Sequence, residues 1–105
     1  MKQILSKEEF LNEIKEGVVI VDFYANWCSP CRMLIPVLEE IDEETKYKVI
    51  KVNVDEQTEL ASAFRVSSIP YLVIFKDGKQ IGDSLGYLPK PNLIRLVENL
   101  ISKNG

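Results

Sequence analysis

A chain of 105 residues with 46% apolar content suits one domain spanning residues 1–105, large enough to bury roughly two thirds of its unfolded surface around a single core. Charged residues make up 28% and the net charge is −3, which excludes the basic footprint of a nucleic-acid or anionic-membrane binder. The opening "MKQILSKEEF" lacks the apolar run of a signal peptide and no segment approaches a transmembrane span, so the expected address is the cytoplasm.

In chain order, a short first strand is expected near Gln3–Leu5. "SKEEFLNEIKEG" then pairs Ser6 with Glu9 as a capping box and closes on Gly17, which predicts a short helix. Phe10, Leu11 and Ile14 form its apolar stripe. "VVIVDFYA" is a nearly continuous apolar, β-branched run, as expected of a strand covered on both faces. From Cys31 onward, Leu34, Val37, Leu38 and Ile41 recur at helical spacing. Pro36 inside that helix removes one backbone hydrogen bond and predicts a kink. The acid-rich "LEEIDEETKYK" reads as its solvated end.

"KVIKVNVD" predicts a second buried strand and "TELASAF" a short helix. "YLVIF" and "KQIGDSLG" flank Asp77-Gly78, a two-residue hairpin signal, so the last two strands should be antiparallel. "NLIRLVENLISK" closes the chain as an amphipathic helix with Leu93, Leu96, Val97, Leu100 and Ile101 inward. The order β-α-β-α-β-α-β-β-α implies an α/β fold, a mixed sheet of about five strands with about four helices on its two faces. Sites in such sheets gather beyond the carboxyl ends of parallel strands, where "NWCSPC" lies.

That stretch holds both cysteines, Cys28 and Cys31. With Cys28 at a helix N-cap, Ser29 and Pro30 fill the first turn, where proline's missing N–H costs nothing. Cys31 then falls at the third helical position, whose N–H an N-cap side chain normally accepts. The free N–H groups and the helix dipole favour a thiolate on Cys28, while Cys31 points toward the protein body. The pair is thus unequal: Cys28 attacks a substrate disulfide, and Cys31 resolves the mixed disulfide. A structural zinc site wants four ligands, and the chain has two cysteines and no histidine. Only carboxylates, or a dimer sharing both cysteines, could complete it. Two inert core thiols are the remaining alternative, at odds with a turn bearing Trp27 and Pro30.

Two charges interrupt apolar strands. Asp22 stands in "VVIVDFYA", where burial should raise its pKa and suit it to accept the Cys31 proton. The alternative is a hydrogen-bonded structural carboxylate at a strand edge. Lys51 in "VIKVNVD" either snorkels outward or pairs with Asp22. Ile69-Pro70 precedes "YLVIF", where a proline at a strand start is allowed without a cis bond.

With "VDFYANWCSPC", "KVNVDE", "SSIPYLVIFKDG" and Gly86 in order, essentially the whole chain resembles the thioredoxin family. The resemblance implies a thioredoxin fold and a thiol–disulfide oxidoreductase that reduces protein disulfides and is recycled by a reductase. It implies no cofactor beyond the redox-active Cys28–Cys31 pair, no metal, no nucleic-acid or membrane partner, and a monomer. Asp22 matches the family's buried acid and Lys51 its lysine partner. Pro70 matches a cis-proline beside the cysteines, with the Ile69 backbone pairing an extended substrate. Trp27, Ser29, Pro30, Ile69, Pro70 and Gly86 would line the docking surface, and Pro36 matches the helix-kinking proline.

The chain departs from the family pattern in five places. Ser29 stands where glycine is usual, Tyr71 where a small residue follows the cis-proline, and Tyr24 where tryptophan is frequent. Pro89 and Pro91 replace the usual Ser or Thr cap of the last helix. Ser29 and Tyr71 leave room for a specialised carrier with a dedicated partner. A non-catalytic binding subunit on the same fold is the third reading.

Overall fold

The computed structural model describes residues 1–104. Five strands run β1 (Lys2–Gln3), β2 (Val18–Tyr24), β3 (Lys48–Asn53), β4 (Tyr71–Lys76) and β5 (Lys79–Leu85), and four helices run α1 (Lys7–Glu13), α2 (Ser29–Glu44), α3 (Thr58–Ala63) and α4 (Lys90–Asn104). The sheet order is β1-β3-β2-β4-β5. Strands β1, β3 and β2 are parallel, β4 runs antiparallel to β2, and β5 runs antiparallel to β4. The expected element order and mixed sheet are therefore what the chain adopts.

Alternation along β2 divides the core in two. Val19, Val21 and Phe23 face a cluster with Phe10, Ile50, Val52, Leu60, Val73 and Phe75. Ile20 faces the opposite cluster, with Leu34, Leu38, Ile41, Leu72, Ile74, Leu93 and Val97 from α2, α4 and the neighbouring strands. A strand buried on both faces can carry few polar side chains without penalty. Asp22 shares the parity of Ile20 and so faces the α2 layer.

Local chemistry sets the boundaries. The Glu9 N–H donates to Ser6 Oγ at 3.1 Å, capping α1. Glu9 Oε1 accepts from the Leu5 N–H at 2.7 Å, one residue before the expected cap N–H. Leu11 is half-exposed, because only Phe10 and Ile14 of the expected stripe turn inward. Gly17 does not end α1, whose cap is Ile14. Its N–H donates to Asp77 Oδ1 at 2.8 Å, and its carbonyl accepts from the Asp77 N–H at 2.9 Å. The turn before β2 is thereby joined to the β4–β5 hairpin. That hairpin places Asp77 at φ 50° and Gly78 at φ 85°, the left-handed pair that a two-residue turn requires.

The first strand is Lys2–Gln3, one residue earlier than expected, and Ile4 extends its pairing through an N–H to the Lys51 carbonyl at 2.8 Å. Pro36 lies inside α2 on its exposed side. The acidic end of α2 is solvated as expected, with Glu40 and Glu44 both holding Lys90. In α4, Leu93 and Val97 are buried, while Leu96, Leu100 and Ile101 pack partly buried against the same cluster. Among the described residues, no helix is long and apolar enough to cross a membrane.

Candidate active site

Strand β2 ends at Tyr24, and the chain turns through Ala25, Asn26 and Trp27 before α2 begins at Ser29. Cys28 is the N-cap, with extended backbone (φ −90°, ψ 111°), and Pro30 sits in the first turn. The Cys31 N–H donates to Cys28 Sγ at 3.2 Å, the bond expected from the spacing. The two sulfurs are joined in a disulfide across three positions. Cys28 is 5% and Cys31 2% exposed, so the pair is less accessible than the turn around it: Trp27 is 69% exposed. Accessibility therefore separates the two sulfurs little. The helix-terminal N–H, received by Cys28 alone, separates them more.

The neighbouring loop completes the site. Ile69-Pro70 is a cis peptide, and the Ile69 carbonyl oxygen lies 3.8 Å from Cys28 Sγ. The Gly86 N–H donates to the Pro70 carbonyl at 2.8 Å. Gly86 adopts φ 89° with nothing within 4 Å of where a Cβ would stand, so backbone conformation and not space selects glycine here. Exposed Leu85 and Tyr87 flank it, and exposed Trp27 directly precedes Cys28. Trp27, Pro30, Ile69, Pro70 and Gly86 thus come together. Ser29, on the same rim, has its hydroxyl engaged by Arg32.

Beneath the turn, Asp22 is fully buried and neither carboxylate oxygen has a hydrogen-bond partner. Burial pushes its pKa up to about 7, with the Lys51 ammonium pulling the other way. The alternative of a hydrogen-bonded edge carboxylate is overturned: β2 is the central strand, and Asp22 pairs across to Lys51 on one side and Leu72 on the other. Lys51 neither snorkels fully nor closes an ion pair with Asp22. Its Nζ sits 4.1 Å from the centroid of the Tyr24 ring, whose quadrupole attracts the cation. Tyr24 in turn donates its hydroxyl to Gln3 Oε1 at 2.7 Å.

A cleft of about 280 Å³ lined by Tyr24, Ala25, Asn26, Cys31, Arg32, Ile35 and Lys51 opens beside Cys31. The larger concavity, about 560 Å³, is a groove along α1 remote from any thiol. Size alone does not mark the chemistry.

Five hydrogen bonds at and around the site escaped the sequence. Trp27 Nε1 donates to Asp55 Oδ2 at 2.9 Å, and Asn53 Oδ1 orders that loop by accepting the Asp55 N–H at 2.8 Å. Arg32 reaches both Asn26 and Ser29. Tyr71 donates to Asp83 Oδ2 at 2.6 Å, which pushes its phenol up to about 12. For Asp55, the signal was its place just beyond the carboxyl end of a parallel strand. Among the described residues, no group of three or more His, Cys, Asp or Glu side chains could hold a metal ion.

The thioredoxin family model matches residues 1–99. The thioredoxin of Bacillus subtilis is 48% identical over 86% of this chain and 88% of its own length. That of Chlamydia muridarum is 45% identical over 92% of this chain and 96% of its own. Among solved structures, a mutant thioredoxin from Halobacterium salinarum superposes with a TM-score of 0.88 at 39% identity, over 94% of this chain and 88% of that one. Plasmodium falciparum thioredoxin does so with 0.86 at 36%, over 94% and 98%. On fold, cysteine geometry and relatedness together, the chain belongs to the thioredoxin family, and its chemistry is thiol–disulfide exchange.

Proposed function

We propose that the chain, acting as one domain, is a general cytoplasmic reductant of protein disulfides in which Cys28 attacks and Cys31 resolves. The observation that carries this reading is the N–H of Cys31 directed at Cys28 Sγ, which favours negative charge on that sulfur. A thiolate on Cys28 displaces one sulfur of a substrate disulfide and forms a mixed disulfide. Cys31 then attacks Cys28 Sγ, closes the Cys28–Cys31 bond and releases the reduced substrate.

Asp22 serves as the proton acceptor for Cys31, and Lys51 holds that acid's pKa within reach of neutral pH. The backbone of Ile69 pairs with an extended substrate segment beside Pro70. Trp27, Ser29, Pro30 and Gly86 form the rest of the shallow docking surface. Reducing equivalents come from a partner reductase, no further cofactor takes part, and the protein works as a monomer. The deciding assay is dithiothreitol-driven reduction of insulin: the chain accelerates it, and Cys28→Ser abolishes the acceleration. Undiminished activity in that variant overturns the assignment of the nucleophile.

A specialised carrier is the second reading. Two observations favour it: the engaged Ser29 hydroxyl and the Tyr71–Asp83 bond stand where the family has smaller residues.

A further inference from the structure

Arg32 occupies the fourth position of α2. A cation near a helix N-terminus opposes the macrodipole, and no acidic residue in the first turn offsets it. Its place is explained by what its two terminal nitrogens hold. Nη1 donates to the Asn26 carbonyl at 2.9 Å, and Nη2 donates to Ser29 Oγ at 2.9 Å. Asn26 lies two residues before Cys28 and Ser29 one after it, so the fork spans the Trp27–Cys28 turn from both sides. The Arg32 N–H also donates to the Cys28 carbonyl at 3.2 Å. A rigid planar fork suits two acceptors at once, and a lysine ammonium does not reproduce it. Glycine at position 29 would leave one prong without its acceptor.

We propose that Arg32 is a positioning residue whose guanidinium, forked between the Asn26 carbonyl and the Ser29 hydroxyl, braces the nucleophile's turn and fixes a cation beside the reduced Cys28 sulfur. The proposal rests on Cys28 being the attacking thiol. The Arg32 N–H closes on the Cys28 carbonyl, which places the Arg32 stem one helical turn beyond the nucleophile. The cation is present in both redox states but meets negative charge only after reduction. It therefore stabilises the dithiol form relative to the disulfide. The position-29 hydroxyl acts as an acceptor that aims the guanidinium, and its own proton stays free for an incoming sulfur.

The test is the equilibrium with glutathione. Protein dithiol and glutathione disulfide exchange to protein disulfide and two glutathiones, two electrons and two protons passing to glutathione. Wild type, Arg32→Ala, Ser29→Gly, the double variant and Arg32→Lys are equilibrated, quenched and quantified. Arg32→Ala should shift the equilibrium toward protein disulfide by roughly three- to tenfold. Ser29→Gly should shift it the same way by less, and the double variant should match Arg32→Ala, because both remove one device. Arg32→Lys should recover less than half of the shift on a logarithmic scale.

An unshifted Arg32→Ala, multiplying factors in the double variant, or full recovery with lysine would each overturn the brace. Unchanged melting of the disulfide form in Arg32→Ala, alongside a shifted equilibrium and a matching loss in the dithiol form, supports it over a merely structural contact. Loss of stability in the disulfide form as large as that in the dithiol form overturns it. Mass-spectrometric mapping of the first thiol alkylated in the reduced wild type separates the two levels. A label on Cys31 refutes the underlying assignment of the nucleophile, whereas a label on Cys28 with an unmoved equilibrium refutes only the brace.

Discussion

The backbone N–H of Cys31 points at the sulfur of Cys28 from 3.2 Å, and no equivalent donor serves Cys31 itself among the described hydrogen bonds. A helix start thus places an asymmetry between two otherwise identical side chains.

That asymmetry predicts opposite outcomes for two substitutions. Cys31→Ser leaves Cys28 free to attack but removes the resolving thiol, so mixed disulfides should accumulate on Cys28. Cys28→Ser should accumulate none. Non-reducing gels after incubation with oxidised protein substrates, followed by peptide mapping, read both. Equal trapping by the two variants would contradict the asymmetry.

Asp22 makes stability depend on pH. Its pKa is raised from 3.8 to about 7, chiefly by burial, with Lys51 opposing. Below about pH 4 both folded and unfolded forms are protonated and no penalty applies. Between there and about pH 7 the unfolded chain loses the proton and the folded one keeps it, so stability falls as pH rises. Above that window the loss is constant, on the order of 4 kcal/mol. Asp22→Asn in the disulfide form should melt higher at pH 8 and flatten the profile between pH 5 and 8. Lys51→Met removes the opposing cation and should push the upper end of the window higher. A wild-type melting temperature that does not fall across this range would refute the buried-acid account.

Asp55 holds the Trp27 indole by a single hydrogen bond at the surface. Asp55→Ala should free the ring, altering tryptophan fluorescence, while melting changes by less than about 1 kcal/mol. With Trp27 on the proposed docking surface, KM for protein disulfides should rise by about two- to fivefold, with turnover little affected. A turnover loss with unchanged KM would place Asp55 in the chemistry instead.

Gly86 combines φ 89° with open space around its Cβ direction. Gly86→Ala should therefore lose about 1–2 kcal/mol from backbone conformation alone. The corresponding fall in melting temperature is roughly 5–10 °C for a domain of this size. The Pro70 carbonyl that Gly86 anchors should shift as well, lowering activity on protein substrates more than on small disulfides. A variant that melts and reacts like wild type would remove Gly86 from the site.

Periodicity carried nearly all of the fold. The double burial of "VVIVDFYA" and the Asp77-Gly78 turn located the central strand and the hairpin, because both signals are local. Leu11 and Gly17 show the limit. A stripe counted on a short helix does not say which edge meets the sheet, and Gly17 serves a contact sixty residues away in sequence. Within the site, the cysteine geometry was legible from capping rules and spacing. The cis bond at Ile69-Pro70 came through family resemblance alone. The Trp27–Asp55 and Lys51–Tyr24 contacts depend on how separate strands align, and pattern carries no trace of that. The Arg32 fork depends on where a long flexible side chain settles, which spacing does not specify.

Strands β2 and β4 are antiparallel neighbours, with Phe23 opposite Tyr71 at their last shared register. The cysteine turn leaves the carboxyl end of one, and the Ile69-Pro70 loop enters the amino end of the other. Both loops consequently hang from a single rung of the ladder. Grafting residues 25–32 from a relative without residues 66–70 would transplant half of a matched pair of jaws, and hybrids exchanged at both loops together should keep their bite.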